Sequence, residues 1–339
     1  MRCLVVGGTG FLGGAITDAL VEHGHDVAIL SRGSTSRPTR SSVEAICTDR
    51  FGDLGSLVSE RFDWVFDTCA FSPDAVETLL SAVGENIERY VLISSISAYG
   101  EFLKPALCEK EDVPEASMHD LEVASNVPPD KRASAFAYGS SYGPLKRSCE
   151  LKASRMLADR ATSLRVGLLV GAGDYTDRLT WWVRRIDQAR GERTRVPAPA
   201  PPQRPVQLID VRDVAEFAIR STTENLPGIW NVTGKTVAIS EVLDAVIKVC
   251  GSNAELVWVD EDAIQSANVV PWVDMPMMAP SSPTFRYFLE VSTGKACSKG
   301  LKCRPIEETL KPLLDWDRSR RETKLKVGLT TKQELLLLS

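Results

Sequence analysis

Apolar positions in the first hundred residues fall in short blocks separated by amphipathic stretches. Leu4–Val6 reads as a short buried strand, and Gly7, Gly8, Gly10 and Gly13 follow at once. Residues 11–23 repeat apolar side chains at helical spacing, with Phe11, Leu12, Ala15, Ile16, Ala19 and Leu20 on one face and Gly24 placed as a stop. Further blocks predict strands at Val27–Leu30, Val43–Cys47, Trp64–Thr68 and Tyr90–Ser94, with a helix at Asp74–Val83. This alternation predicts an α/β fold, a doubly wound parallel sheet with right-handed crossovers.

The pattern then changes. Residues 103–137 are polar and rich in Pro, Glu and Asp, and read as a long surface excursion. Tyr138–Glu150 runs into a helix that continues through Met156 and Leu157. A sixth strand is expected at Ser163–Val170, and a helix carries Leu179–Ile186. The proline-rich stretch Val196–Pro205 reads as a stiff extended loop, a candidate lid edge. Strands at Val206–Ile209 and Ile229–Val232 flank a helix ending at Arg220. A helix at Ser240–Cys250, a strand at Leu256–Val259, a loop at 268–288 and a charged helix at Asp315–Lys326 complete the reading. The tail Glu334–Ser339 is expected to pack onto the body. Residues 1–170 thus form one domain, to which 206–235 return; residues 171–205 and 236–339 form a smaller, interleaved α+β domain and the tail.

The glycines satisfy two templates at once, G-x-G-x-x-G through Gly8, Gly10 and Gly13, and G-x-x-G-x-x-G through Gly7, Gly10 and Gly13. Both serve a tight turn, close backbone approach to a pyrophosphate and close helix–strand packing. The following helix would offer its N-terminus to the phosphates. About 20 residues on, an acidic residue would select NAD by holding the ribose 2′-hydroxyl. Here Ser31 and Arg32 stand in that place, a pair suited to a 2′-phosphate, so NADP(H) is favoured over NAD(H). Arg37 and Arg40 lie in the same polar loop, either adding to that site or merely solvated. Asp49 either accepts from the adenine amino group or caps the next turn. Cys69 and Ala70 are small residues at a strand end, which would let a cofactor lie close.

The candidate chemistry lies further on. Ser94–Gly100 closes the fifth strand, and Tyr142 and Lys146 sit four apart, on one face of a helix. Taken alone, such a pair is an ordinary surface feature. Behind a dinucleotide fingerprint and a serine-rich strand end, it reads as catalytic. A neighbouring ammonium and an oxidised nicotinamide would favour the phenolate of Tyr142, letting it exchange a proton near neutrality. Ser95 would hold the substrate oxygen. Trp181, Trp182, Arg184 and Arg185 either line a pocket or belong to core and solvated surface. Trp272, Met275, Met277 and Met278 make a pocket wall or a contact surface, a hint of an apolar or aromatic ligand.

A net charge of −5 gives no sign of a nucleic-acid surface. No apolar run approaches the ~20 residues of a membrane span, and the N-terminus lacks a secretory pattern, so a cytoplasmic protein without membrane association is expected. Eight cysteines include no C-x-x-C pair and only three histidines are present, which argues for free thiols over a zinc site or disulfides.

Together, Gly7-Gly8-Thr9-Gly10-Phe11-Leu12-Gly13, the Ser94-Ser95…Tyr99-Gly100 stretch, Tyr142-x-x-x-Lys146 and Asp210–Ala215 resemble the extended short-chain dehydrogenase/reductase superfamily, also called the NAD-dependent epimerase/dehydratase family. The resemblance covers residues 1 to about 235 well and the rest loosely. It implies an NAD(P)-binding Rossmann domain with a smaller C-terminal substrate domain, and often a homodimer paired through helices; with the Ser31-Arg32 reading, residues 1–170 become an NADP-binding domain. It also implies Tyr142 as catalytic acid/base, Lys146 as its partner and ribose ligand, and Ser95 as third member. Gly7, Thr9, Gly10, Phe11, Leu12 and Gly13 would cradle the cofactor. Three departures stand out. Ser31-Arg32 replaces the acidic strand end of NAD-retaining sugar epimerases, Ile96-Ser97 replaces the Asp-Glu of sugar 4,6-dehydratases, and the 103–137 excursion is longer than usual. The expected function is an NADP(H)-dependent oxidoreductase reducing a carbonyl or imine of a small organic substrate. A cofactor-retaining nucleotide-sugar epimerase is the alternative among enzymes, and a non-catalytic NADP-sensing regulator the alternative of another class.

Overall fold

The apolar blocks of the N-terminal half fold into a parallel sheet because their side chains are buried on both faces. A computed structural model describes residues 1–33, 42–191 and 193–339. Its strands are β1 (Arg2–Val6), β2 (Asp26–Ser31), β3 (Val43–Cys47), β4 (Trp64–Asp67), β5 (Arg89–Ser95) and β6 (Ala161–Val166). They continue with β7 (Leu168–Val170), β8 (Thr194–Pro199), β9 (Pro205–Asp210), β10 (Gly228–Val232), β11 (Thr236–Ala238) and β12 (Ala254–Val259). Seven of them form the main sheet in the order β10-β6-β5-β4-β1-β2-β3, every pairing parallel. The chain starts at β1, winds outward to β3, then returns to β4 and winds the other way. The crevice between β1 and β4 is therefore the switch point, where open α/β sheets bind ligands beyond their carboxyl ends.

Val5, Ile29, Phe66 and Val91 pack one face of the sheet with residues of the helices Phe11–Glu22 and Val211–Thr223. Leu4, Val65, Tyr90 and Leu92 pack the other with the helices Pro73–Val83 and Tyr142–Leu157. A further core joins Trp182, Val196, Leu243, Met277 and Leu313 in the C-terminal part. That part also holds a three-stranded sheet, β11-β9-β7, and a two-stranded one, β12-β8.

Four expectations change. The strand foreseen at Ser163–Val170 is two strands in different sheets, β6 and β7, broken at Gly167, where a Cβ would lie 2.2 Å from Thr233 Oγ1. The proline-rich stretch is a buried strand through Pro199, not a lid edge. The Ala200 N–H donates to Val259 O, so even-numbered positions face β12 and Pro197 and Pro199, which lack a donor, face away from it. The excursion holds its own helix, Met118–Asn126, started by a capping box between Ser117 and Asp120. The charged helix lies at Ile306–Arg318 rather than Asp315–Lys326, and buries Leu310, Leu313 and Leu314. Pro312 hides that helix in the sequence because it removes the N–H that would bond the Glu308 carbonyl; Arg212 Nη2 donates to that carbonyl instead, at 3.0 Å. Among the described residues, no helix is long and apolar enough to cross a membrane.

Candidate functional site

The turn after β1 is built by glycine contacts. Gly7 has φ +78°, and its carbonyl accepts from Gly10 N at 2.9 Å. A Cβ on Gly13 would lie 2.2 Å from that carbonyl oxygen, and one on Gly7 2.7 Å from Thr68 Oγ1. The backbone of this turn thus presses on the next helix and on the end of β4 with no room for side chains. The first turn of the helix Phe11–Glu22 holds no acidic residue that would repel an anion. The turn therefore fits a dinucleotide pyrophosphate, and Gly7, Thr9, Gly10, Phe11, Leu12 and Gly13 all line one groove above it. Gly13→Ala is expected to weaken cofactor binding by at least about tenfold, because backbone rather than a movable side chain must yield. Unchanged affinity by isothermal titration would show that the turn does not hold the cofactor.

The groove encloses about 310 Å³ and crosses the carboxyl ends of the strands. At one end it meets Ser31, Arg32, Asp49, Arg50 and Phe51; at the other, Phe71, Tyr138, Tyr142, Lys146 and Tyr175. Asp49 lines the wall and also caps the turn, its Oδ1 accepting from Phe51 N at 3.0 Å. Arg37 and Arg40 lie outside the described residues. Cys69 lines the groove, whereas Ala70 is fully buried behind it and contributes its carbonyl to Lys146.

Arg50 was not singled out from the sequence. It runs beneath the groove to Asp67, which is 0% exposed. Its Nη1 and Nη2 each donate to an Asp67 oxygen at 2.7 Å, and the Tyr90 hydroxyl donates to Asp67 at 2.8 Å. Burial alone would push the Asp67 carboxyl up; the Arg50 guanidinium outweighs it and holds the carboxyl below the usual range.

At the other end, the helix start brings Tyr142 beside Ser95, whose hydroxyl favours the phenolate, although Ser95 itself is buried and does not line the groove. Ser95 Oγ also accepts from Ser97 N at 3.1 Å, which fixes its rotamer. Ser94 is turned inward and donates to Glu150 Oε1 at 2.6 Å. Lys146 lies under the Phe71 ring, 4.8 Å from its centroid. Its Nζ donates to Ala70 O at 2.7 Å and Ile93 O at 2.6 Å. The expected lowering of the Tyr142 pKa by Lys146 is not found in this structure. Burial pushes the phenol up to about 12, and only the Ser95 hydrogen bond opposes it. The Lys146 ammonium is spent on two carbonyls rather than on the phenol.

Trp181, Trp182 and the three methionines prove to be core, whereas Trp272 is half-buried. Trp181 and Trp182 are 6% and 0% exposed, Trp182 Nε1 donates to Pro276 O at 2.9 Å, and Met275, Met277 and Met278 are buried. Arg184 is paired with buried Asp317, Arg185 with Glu334 and Arg212 with Asp210. The cation that sequence reasoning passed over is Arg178. It stacks on Trp272 at 4.9 Å and lies 5.9 Å from the Phe136 ring, with no ion-pair partner among the described residues. The signal for it was its place beside Asp177 at the start of the Trp-rich helix.

A sequence model of the NAD dependent epimerase/dehydratase family matches residues 3–233. The chain belongs to that family. Family membership places it among NAD(P)-dependent oxidoreductases and epimerases. This epimerase/dehydratase-family chain is 30% identical over 151 residues to the 2′-dehydrokanamycin reductase of Streptomyces kanamyceticus, across 43% of the chain and 42% of that protein. It is 23% identical over 269 residues to the chloroplast stem-loop binding protein of 41 kDa b of Arabidopsis thaliana, across 74% of the chain and 62% of that protein. The chain therefore spans 42% and 62% of the lengths of these relatives. Its fold is that of the UDP-N-acetylglucosamine 4-epimerase of Methanobrevibacter ruminantium, solved in complex with UDP-N-acetylmuramic acid. That likeness has a TM-score of 0.67 at 20% identity, over 94% of this chain and 98% of the other.

Proposed function

We propose that this protein is an NADP(H)-dependent reductase that acts on a carbonyl or imine of a small organic substrate. The reading is carried by the phenol of Tyr142, set beside Ser95 at one end of the groove that begins at the glycine turn. When bound there, a nicotinamide cofactor supplies the hydride. Tyr142, with its pKa near 12, is a neutral phenol at pH 7 and so stands ready to give a proton to the substrate heteroatom, the direction reduction needs. Ser95, beside the phenol, would offer its hydroxyl to the same oxygen. Two of the three Lys146 donors are occupied by carbonyls, which leaves one for a ribose hydroxyl. The absence of a carboxylate at the end of β2, where Ser31 and Arg32 stand, supports NADP(H) over NAD(H).

A cofactor-retaining nucleotide-sugar epimerase is the second reading. It is favoured by the bond from Arg32 Nη1 to Pro129 O at 2.7 Å, which bridges the groove walls and would slow cofactor release. Purified protein titrated with NADPH and NADH separates the two. A reductase should arrive largely free of cofactor and bind NADPH at least about tenfold more tightly than NADH, as loss of a charge-assisted phosphate contact requires. Tightly co-purifying NAD would sink the first reading and leave the epimerase.

A further inference from the structure

We propose that residues 127–138 are a lid along the groove, and that Arg132, where this lid meets the adenosine end, reads the cofactor 2′-phosphate together with Arg32. The inference rests on the NADP(H) reading above.

The lid is the end of the long excursion between β5 and the Tyr142 helix. Its Pro129, Arg132 and Ala133 line the same groove as Ser31, Arg32 and Phe51. It is tied down at both ends of the groove. Arg32 Nη1 donates to Pro129 O at 2.7 Å, and Tyr138 stacks on Phe71 with 5.5 Å between ring centroids and planes 10° apart. The Tyr138 hydroxyl also donates to Arg132 O at 2.9 Å, which fixes the backbone of Arg132 itself.

The side chain is fixed as well. Arg132 lies over the Phe51 ring at 4.7 Å from its centroid, and its Nε donates to Val127 O at 3.2 Å. Stacking uses the flat face of a guanidinium and leaves the in-plane N–H donors available. Among the described residues, neither terminal nitrogen of Arg132 has a hydrogen-bond or ion-pair partner. Arg50, the other arginine of this wall, is committed to Asp67. Asp49, the carboxylate of this wall, spends its Oδ1 on Phe51 N. Two cations, one on the sheet and one on the lid, therefore line one groove, and among the described residues neither has an ion-pair partner. A phosphate dianion can take both, through paired charge-assisted hydrogen bonds. The hydroxyl of NADH offers neither arginine a charge.

The test measures dissociation constants of NADPH, NADH and 2′,5′-ADP for the wild type, Arg132→Met, Arg132→Lys and Arg32→Met. Met keeps a long side chain over Phe51 and Lys keeps the charge. Arg132→Met is expected to weaken NADPH and 2′,5′-ADP by about 10- to 100-fold and NADH by less than about twofold, with Lys intermediate. Equal losses for NADPH and NADH would overturn the proposal, because Arg132 would then serve the adenine or the lid fold. So would a normal NADPH preference in Arg132→Met while Arg32→Met loses it, and in that case the NADP(H) reading stands. A wild type that prefers NADH overturns that reading and this proposal together.

Discussion

Tyr142→Phe should lower kcat by about 10²–10⁴ and leave the NADPH dissociation constant within about twofold of the wild type, the span usual for a lost general acid. The phenol ring stays in place against Phe71, whose ring centroid is 6.0 Å away, so packing changes little. Only the hydroxyl that meets Ser95 is removed. The pH profile offers a second reading of the same atom. With the phenol pushed up to about 12, the acid form persists through the neutral range, so the reductive rate should not fall between about pH 6 and 9 on account of Tyr142. A phenolate already formed near pH 7 would show as a falling limb in that interval. Turnover that survives the Phe substitution would remove Tyr142 from the chemistry, whereas a wild type that binds NADPH without turnover, and whose binding is indifferent to the substitution, would favour the non-catalytic NADP-sensing alternative.

The parts legible in the sequence were those set by local rules. The glycine turn, β3, the end of β5 and the Tyr142–Lys146 spacing depend on residues within a few positions of one another. What stayed hidden depends on distant partners. Arg50 looks like any polar residue after a strand until β4 and β5 bring Asp67 and Tyr90 against it. Pro197 and Pro199 read as loop because nothing in their own stretch says that β12 lies on the other side. Trp181 and Trp182 have the composition of a pocket wall, and only distant segments turn them into core, Pro276 against Trp182 and Gly328 against Trp181. Lys146 was expected to act on Tyr142 because their spacing follows a dinucleotide fingerprint and a serine-rich strand end. The carbonyls of Ala70 and Ile93, contributed by two other strand ends, draw the ammonium away.

Arg50→Leu should destabilise the fold by about 3–5 kcal/mol, the cost of stranding a buried charge. Asp67 would keep the Tyr90 hydroxyl at 2.8 Å and the Cys69 N–H at 3.2 Å but lose both guanidinium bonds. The loss should depend on pH, with opposite sign in the two proteins. In the wild type the folded carboxyl lies below its unfolded value of ~3.9, so its contribution is present above pH ~4 and fades as the pH falls further. In the variant, burial is no longer outweighed and the folded carboxyl rises above that value. Its stability is then lost as pH climbs through the raised pKa. Urea midpoints at pH 4.5 and pH 7.5 should therefore show a larger deficit at pH 7.5. An equal deficit at both would mean that Arg50 acts through packing and its bond to Ala75 O at 2.6 Å rather than through charge. Arg50→Leu combined with Asp67→Leu should recover much of the loss, since no charge is left unpaired. The pair also ties the loop after β3 to β4 beside the switch point, under the wall that carries Asp49 and Phe51. The single variant should thus bind both NADPH and NADH more weakly, because the wall that carries Phe51 moves. Arg132→Met, by contrast, should separate the two cofactors, which distinguishes a residue that shapes the groove from one that reads the phosphate.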